Sequence, residues 1–400
     1  MKRLHLTVST LALFLALFLA IPAMAELPGL ATWMQSLIDD GKAVGCSAQV
    51  TQGGKTIFLE AYGDRSPESE DDLSIDQVVR IYSMSKAITS AATMQLVEQG
   101  KLGIDDPASL YIPAMAQMNV GVGEDTHVAR RQITIRDLLT HTSGLAYDFT
   151  APDEFKPAYE SVFKGAGTLE VAATRMGDLP LVQEPGEGFL YGVSTDVLGR
   201  VIEVVSGQSF EDYLREHIFE PLRMTDTGFT PSADSPPMHI VTGAPGALEI
   251  DAEHYRSQDD RALKPRFHSG GGGLWSTLHD YTRFMQAMEQ YGELDGSRIL
   301  KPETVAFMTQ NHLSPAYDSP QRFGLGFGLA AAKTTSRGPR GEGRWVWGGA
   351  ASTFFFIDPD QDLTAVFVTQ KFPFDFAMGE SFTENVLESV AVSSTKPVGR

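Results

Sequence analysis

From position 81 the sequence reads Ile81-Tyr82-Ser83-Met84-Ser85-Lys86-Ala87-Ile88, and this stretch says most about the fold and the chemistry. It places Ser83 and Lys86 three residues apart at the predicted start of a buried helix. Three residues are almost one helical turn, so the two side chains would share a face. A serine hydroxyl is a poor nucleophile at neutral pH, and a lysine beside it can take or share its proton. The stretch therefore predicts an activated serine.

The Ser-x-x-Lys spacing occurs three times, beginning at Ser83, Ser161 and Ser393. The second copy runs into a glycine-containing loop, and the third lies in a polar tail. Only the first lies between an apolar, β-branched run, Val78–Ile81, and a helical pattern that stops at Gly100. A strand-like entry followed by a helix start brings free backbone N–H groups near the serine. The alternative is that this serine caps the helix and the lysine lies on the surface.

Residues 1–25 have the pattern of a secretory signal peptide. Lys2 and Arg3 form the charged start, Leu11–Ile21 the apolar run, and Ala23-Met24-Ala25 the cleavage site. The apolar run is too short to favour a membrane span. Because no cysteine follows the cleavage site, a lipid anchor is not expected there. We expect a periplasmic or secreted protein with no stable membrane anchor after cleavage.

Composition excludes several kinds of partner and site. The formal net charge of −19 makes the chain a poor candidate for binding nucleic acid. The single cysteine, Cys46, cannot form an internal disulfide and is interpreted as a small core residue, with a reactive thiol as the minor alternative. There is no H-E-x-x-H motif and no close Cys/His cluster, so no metal or other cofactor is expected. The absence of G-x-S-x-G argues against an α/β-hydrolase.

Strand patterns lie at both ends of the chain, with mostly helical patterns between them. The N-terminal part predicts a helix at Ala31–Ile38 and two strands, Cys46–Gln52 and Thr56–Tyr62, around the turn Gly53-Gly54-Lys55. The C-terminal part predicts, in order, strands at Arg322–Ala330, Arg344–Trp347, Ser352–Ile357 and Leu363–Gln370 and a helix at Ala377–Ser389. The sequence thus predicts an α+β fold: an antiparallel sheet built from both termini, flanked by helices, with a mostly helical inserted domain.

The same pattern predicts a division of the chain. After the signal peptide, we expect residues 26–77 to form the N-terminal part of an α/β domain, 78–310 a mainly helical domain, and 311–400 the C-terminal part of the α/β domain. The active site is expected at the seam between the two domains, where ligand sites commonly lie.

Further blocks accompany the Ser83 motif, in a fixed order from about residue 30 to residue 372. They are Leu138–Leu145, Pro185–Tyr191, Asp196–Glu203, Glu220–Thr227, Gly271–Thr277 and Trp347–Gly349. Together with the Ser-x-x-Lys motif, this set resembles the superfamily of serine β-lactamases and penicillin-binding proteins. The resemblance implies a β-lactamase/transpeptidase-like fold.

The resemblance also implies roles for individual residues. Ser83 would be the nucleophile that forms an acyl-enzyme, and Lys86 would assist its deprotonation. Tyr191 would carry the proton to the leaving group and later activate water. The oxyanion hole would use the backbone N–H groups of Ser83 and Ala350. Whether Lys86 or Tyr191 is the base in acylation stays open.

Other residues could compete for these roles. Tyr82 and Tyr147 are weaker rivals of Tyr191. His141 has the chemistry of a base, but a loop histidine in its block is expected to hold structure. A buried structural tyrosine is the alternative for Tyr191 itself.

Two departures from the superfamily pattern indicate the substrate. Val193 lies where β-lactamases and peptidases usually have asparagine or serine, and Trp347 lies where they have lysine or histidine. Loss of a charge-assisted hydrogen bond to a buried carboxylate costs about 1.5–3 kcal/mol, so anionic substrates are disfavoured. Trp-Gly-Gly at this place is similar to the family VIII carboxylesterases. We expect a substrate pocket that includes Trp347, Gly348, Gly349, Val193 and Tyr147.

Three functions are compatible with these residues. The favoured one is a secreted serine esterase that cleaves short-chain acyl esters. The second is a β-lactamase or D-amino-acid peptidase acting on cell-wall-like amides. The third is a non-catalytic module that binds an acyl ligand or the cell wall. The expected partner is a small-molecule ester or amide, and the fold alone cannot choose among the three.

Overall fold

The computed structural model describes residues 27–231, 238–251, 267–317, 321–330 and 343–395. The predicted signal peptide therefore lies outside the described residues. Within the described ranges, no helix combines the length and the apolar character needed to cross a bilayer.

The described residues contain one large antiparallel sheet of six strands, and its order joins the two ends of the chain. Numbered along the chain and given in spatial order, the strands are β11 (Gly328–Ala330), β12 (Arg344–Gly349), β13 (Thr353–Asp358), β14 (Leu363–Val368), β1 (Gly45–Gln52) and β2 (Lys55–Gly63). Where the N-terminal and C-terminal strands meet, Ala48 of β1 lies opposite Phe367 of β14. The predicted α+β fold, with an antiparallel sheet built from both termini, is confirmed.

Short two-stranded ribbons lie between β2 and β11 in the chain. The described ribbons pair β3 (Val79–Arg80) with β8 (Trp275–Ser276), β4 (Asn119–Val120) with β5 (His127–Val128), β6 (Val241–Thr242) with β7 (Glu249–Ile250), and β9 (Glu293–Leu294) with β10 (Ser297–Arg298).

Helices are the other main kind of regular element among the described residues. The described α-helices are α1 (Pro28–Asp39), α2 (Ser85–Glu98), α3 (Ile135–Leu139), α4 (Lys156–Ser161), α5 (Leu169–Met176), α6 (Ser194–Ser206), α7 (Phe210–Leu214), α8 (Glu220–Leu222), α9 (Leu278–Glu289), α10 (Pro302–Met308) and α11 (Phe376–Thr395). A π-helical stretch, Arg215–Phe219, joins α7 to α8.

The first hairpin follows directly from its turn residues. Gly53 and Gly54, between β1 and β2, have φ angles of 56° and 75°. Two consecutive positive φ angles are those of a type I′ turn, which matches the twist of the flanking strands and is easy only for residues such as glycine. The predicted hairpin is therefore present, with strand bounds within a residue or so of those expected.

The sheet has a hydrophobic layer on each face. On one face α1 and α11 pack against the strands, and Met34 and Phe382 are buried there with Phe356 and Phe367. The opposite face packs against α9 and continues into a second, larger cluster that includes α2 and α6. Ser83 lies at the border of this second layer, where the turn before α2 meets the end of β12. The sheet and the helices thus fix the position of the predicted nucleophile together.

One predicted strand is much shorter than expected. Of the expected Arg322–Ala330, only Gly328–Ala330 is a strand. The N–H of Gly324 donates to the carbonyl of Phe327, and Gly326 has a φ of 90°. This tight turn removes the preceding residues from the sheet, because the glycines that made the segment look strand-like bend it instead.

Replacing Phe382 by alanine should lower the free energy of unfolding by about 3–5 kcal/mol, because it would leave a cavity between the sheet and α11. Phe382 is 0% exposed, and its ring centroid lies 5.3 Å from that of Phe367. Phe376→Ala is the matched control on the same helix, since Phe376 is 76% exposed, and it should cost about 0.5 kcal/mol or less. Equal shifts in the denaturant midpoint for the two variants would contradict this packing.

Candidate active site

The chain reaches Ser83 through a strained turn. β3 leads into a 3₁₀ turn, Tyr82–Met84, which runs directly into α2. Tyr82 has a φ of 45°, a left-handed conformation that is costly for an aromatic residue. The Arg80 guanidinium lies 4.8 Å from the centre of the Tyr82 ring, and Arg80 Nε donates to the carbonyl of Gly272 at 3.3 Å. These contacts hold the turn that presents the serine.

Lys86 is a buried cation surrounded by oxygen acceptors. Its side chain is only 1% exposed. Nζ lies 3.1 Å from Ser83 Oγ, 2.9 Å from the Tyr147 hydroxyl and 2.6 Å from the carbonyl oxygen of Gly271. An ammonium has three N–H donors, so these acceptors can satisfy all of them. The predicted pairing of Ser83 with Lys86 is thus present as a hydrogen bond.

Tyr191 completes the group around the serine. Its hydroxyl donates to Ser83 Oγ at 2.6 Å. Its ring centre lies 4.7 Å from Lys86 Nζ. The structure therefore brings together the three residues expected to carry the chemistry, although they are far apart in the chain.

His141 contacts the backbone on both sides of Tyr191. Its carbonyl accepts from the Leu190 N–H at 2.7 Å, and its Nδ1 accepts from the Gly192 N–H at 3.4 Å. Burial, with a smaller effect from the Lys86 cation, holds the pKa of His141 well below its usual value. A neutral ring is what the Nδ1 acceptor role requires. The expectation that His141 holds structure fits these contacts.

Tyr147 belongs to the same cluster but contacts the lysine rather than the serine. Its hydroxyl accepts from Lys86, and its ring stacks on Phe149 with centroids 5.0 Å apart. Burial chiefly, then the charge of Asp196, raises the pKa of Tyr147 well above its usual value. Tyr147 is thus a neutral phenol at pH 7. The third tyrosine, Tyr82, stacks on Arg80 instead.

The loop at Gly271, which begins one of the blocks noted in the sequence, supplies the third acceptor for the lysine. The N–H of Gly271 donates to Asp196 Oδ1 at 3.1 Å, and Ser269 Oγ donates to the same oxygen at 2.6 Å. Burial raises the pKa of the Asp196 carboxyl, while the Ser269 hydrogen bond and the Lys86 charge oppose this shift. The sequence placed Asp196 and Gly271 at the starts of two separate blocks but did not indicate that they are in contact.

Next to Ser83 lies a cluster of aromatic side chains, here called the aromatic wall, made of Phe189, Tyr191, Phe323 and Trp347. The Trp347 ring centre lies 5.5 Å from that of Tyr191 and 5.2 Å from that of Phe323. Phe189 and Phe323 have centroids 5.2 Å apart. Trp347 therefore lies beside the predicted catalytic tyrosine, as expected. Phe189 belongs to the block of Tyr191 but was not singled out there, and Phe323 lies outside the blocks.

Gly348, Gly349 and Val193, which were also expected to line the pocket, each lie in different surroundings. The α-carbon of Gly349 packs so closely on the carbonyl of Ile81 that a β-carbon would clash with it. A β-carbon on Gly348 would instead lie 2.6 Å from the ring of Phe374, on the opposite face of the sheet. Val193 is 1% exposed within the larger core cluster. It directly precedes α6, and its place in a substrate pocket stays a prediction.

Other chemistry has little support near this site. Among the described residues, no group of three or more His, Cys, Asp or Glu side chains is arranged to hold a metal ion. Cys46 is buried, and burial raises the pKa of its thiol to about 12. A thiol with so high a pKa is a poor nucleophile at pH 7.

Comparisons with known proteins agree with this geometry. Residues 30–387 match the family model described as Beta-lactamase. Protein Rv1367c of Mycobacterium tuberculosis is 34% identical over 362 residues, which cover 85% of this chain and 89% of that protein. Lovastatin esterase of Penicillium rubens is 29% identical over 370 residues, covering 84% and 90%. The structure of EstCE1, "a hydrolase with promiscuous acyltransferase activity", is similar with a TM-score of 0.76 at 25% identity, covering 90% of this chain and 97% of that one.

Gly271→Ala should lower the reactivity of Ser83 about a hundredfold, because a small displacement of the lysine or tyrosine spoils the geometry. A β-carbon at this position would lie 2.6 Å from both Asp196 Oδ2 and the Tyr147 hydroxyl. Gly272→Ala is the matched control, since its β-carbon would have no neighbour closer than 3.7 Å. The measurement is the rate at which a fluorophosphonate labels Ser83. Equal rates in the two variants would contradict the assigned geometry.

Proposed function

The chain belongs to the beta-lactamase family, and on that premise we propose that it is a serine esterase that cleaves short-chain acyl esters. The observation that carries the proposal is the position of Ser83 Oγ, within hydrogen-bond distance of both Tyr191 OH (2.6 Å) and Lys86 Nζ (3.1 Å). A hydroxyl held between a phenol and a lysine can lose its proton as it attacks, once that pair has given up one proton and can act as the base. Esterase activity is named for one similar protein, the lovastatin esterase.

Catalysis would proceed in two halves through an acyl-enzyme. In the reactive form the pair of Lys86 and Tyr191 has lost one proton, so that Lys86 is a neutral amine or Tyr191 is a phenolate. Ser83 Oγ attacks the ester carbonyl carbon, and its proton passes to that basic group. The pair returns that proton to the departing alcohol. In the second half, water gives a proton to the pair and attacks the acyl carbon. The pair then restores the proton to Ser83 Oγ as the acid leaves.

The negative charge that develops on the carbonyl oxygen would be stabilised by the backbone N–H groups of Ser83 and Ala350. Ser83 begins the transition into α2, and Ala350 directly follows Gly349, which packs against the carbonyl of Ile81. This contact supports the proposal because it brings the two backbone segments next to each other.

The aromatic wall supports a neutral substrate. Trp347 stands on β12 where related hydrolases have a cation, and its neighbours Tyr191 and Phe323 are also aromatic. A carboxylate placed against this wall would lose its hydration without gaining an ion pair there. For this reason we favour esters over the alternative of β-lactams or D-alanyl peptides. The presence of Ser83, Lys86 and Tyr191 in one cluster argues against a non-catalytic binding module.

Location and domain division remain proposals from the sequence. Residues 1–25, which lie outside the described residues, are the reason to propose a periplasmic or secreted protein. The division near residues 77 and 310 is supported by the two groups of sheet strands, which end at Gly63 and resume at Gly328.

The mature protein should hydrolyse p-nitrophenyl butyrate, and Ser83→Ala should reduce turnover by at least about a thousandfold, because the nucleophile is lost. Ser161→Ala is the matched control, since Ser161 begins a second Ser-x-x-Lys sequence but is exposed at the end of α4. Its turnover should equal that of the wild-type protein.

Substrate choice is tested in the same assay with nitrocefin and D-alanyl peptides. Good turnover of the butyrate ester with only weak turnover of these amides is expected. A folded wild-type protein that cleaves nitrocefin well and leaves the ester intact would sink the esterase proposal and favour the β-lactamase alternative.

Acyl transfer is a second candidate function, in which an alcohol replaces water in the second half. The aromatic wall favours it, because apolar rings bind an alcohol with a hydrocarbon chain better than they bind water. One similar structure is described as a hydrolase with promiscuous acyltransferase activity.

With 1-butanol present, the protein should convert part of the p-nitrophenyl butyrate into butyl butyrate, measured by gas chromatography. Trp347→Ala should lower the ratio of transfer to hydrolysis several-fold, because it removes apolar surface from the wall. Trp33→Ala is the control, since Trp33 packs on Phe367 on the other face of the sheet. A ratio unchanged by Trp347→Ala would contradict the role of the wall in binding the alcohol.

A further inference from the structure

Asp196 is a buried acid to which the mechanism above gives no task. It lies in the first turn of α6 and is 1% exposed. Oδ1 accepts two hydrogen bonds, but Oδ2 has no hydrogen-bond partner among the described residues. A buried carboxylate oxygen without a partner is costly, so its presence asks for a physical reason.

The backbone of Gly271 connects Asp196 to Lys86. The Gly271 N–H donates to Asp196 Oδ1 at 3.1 Å, and its carbonyl accepts from Lys86 Nζ at 2.6 Å. Ser269 Oγ donates to the same carboxylate oxygen at 2.6 Å. The carboxylate thus fixes the peptide whose other end holds the ammonium.

The second oxygen of Asp196 faces Tyr147. Asp196 Oδ2 and the Tyr147 hydroxyl oxygen both lie 2.6 Å from the point where a β-carbon on Gly271 would stand. The Tyr147 oxygen accepts from Lys86, and its own proton has no acceptor among the described residues. A free carboxylate oxygen and a free phenol proton therefore lie on the same side of Gly271. Only glycine leaves room for them there.

We propose that Asp196 is a positioning residue, which holds Gly271 and Tyr147 against Lys86 and supplies the negative charge that balances the buried ammonium. This inference rests on the proposed function, because it concerns the lysine that would assist Ser83. The alternative is that Asp196 only connects the loop at Ser269 to α6 through a hydrogen bond. The two readings differ in whether the charge of the carboxylate matters, or only its shape.

The ionisable groups around this arrangement come from three segments besides α6. They are Lys86 from α2, His141, Tyr147 and Asp148 from the loop after α3, and Tyr191 from the segment before α6. His141 and Tyr147 are neutral at pH 7, since their pKa values are shifted away from it. Lys86 is the cation in this cluster that acts on the Asp196 carboxyl.

Asp196→Asn separates charge from shape. The amide keeps an oxygen for the Gly271 N–H and the Ser269 hydroxyl but removes the negative charge. An opposite charge favours the charged form of a buried group, so removing the carboxylate charge destabilises the ammonium relative to the neutral amine. We call the rise of the Ser83 labelling rate with increasing pH the acidic limb of the rate profile. In Asp196→Asn this limb should move to lower pH by about 1 unit or more. Above that limb the rate should fall about tenfold, as Lys86 and Tyr147 are held less firmly.

The measurement is the second-order rate of fluorophosphonate labelling of Ser83, followed by intact-mass spectrometry between about pH 5 and pH 10. It needs a reactive serine but no ester turnover. Asp280→Asn is the matched control. Asp280 is equally buried and accepts from a backbone N–H, that of Asp226, at 2.7 Å and from the Thr227 hydroxyl at 2.9 Å. It should keep the wild-type limb even if it lowers stability.

The outcomes separate the two proposals. A shifted limb in Asp196→Asn beside an unshifted one in Asp280→Asn supports the positioning role. A wild-type profile in Asp196→Asn overturns it and leaves the esterase proposal standing. Wild-type protein that is not labelled at any pH overturns the nucleophile and this inference with it. If Asp196→Asn does not fold, Asp196→Ser takes its place. This variant also removes the charge and leaves room for a water molecule, and the position of its acidic limb is compared with that of the wild-type protein in the same way.

Discussion

The Lys86 ammonium carries a full charge into the protein interior, where an unpaired cation costs several kcal/mol. It is tolerated because each of its three N–H groups has an acceptor, and each acceptor comes from a different part of the chain: the Ser83 turn, the loop that holds Tyr147, and the loop that holds Gly271. None of these segments can move without leaving a donor unpaired. The requirement to satisfy one buried cation therefore fixes the relative positions of the nucleophile, the second tyrosine and the glycine loop.

Features that depend on neighbours in sequence could be predicted. Ser83 and Lys86 share a helical face because of their spacing, and the hairpin of β1 and β2 follows from Gly53 and Gly54. The sheet built from both ends followed from strand patterns at both ends, and the structure confirms it. In each case the relevant physics, helix periodicity, turn dihedral angles or alternation along a strand, acts over a few residues.

Features that depend on contacts between distant segments could not be predicted in the same way. Lys86 and the Gly271 carbonyl are 185 residues apart in the chain, and no local pattern links them. Val193 was noted for its place in a motif, but the motif did not show that its side chain is buried just before α6. Asp196 was visible as part of a block, yet its role depends on a glycine backbone that carries no side-chain signal.

The pairing of β1 with β14 has a consequence for how the protein is made. Thr51 and Thr364, whose hydroxyl oxygens are 2.6 Å apart across these strands, are separated by 313 residues. At a ribosomal speed of about 5–20 residues per second, β1 waits roughly 15–60 s for its partner. During that interval the unpaired edge of β1 can pair with strands of other chains unless a chaperone binds it. The reactive serine is likewise made long before β12 and Trp347, so the site comes together only as the last strands leave the ribosome.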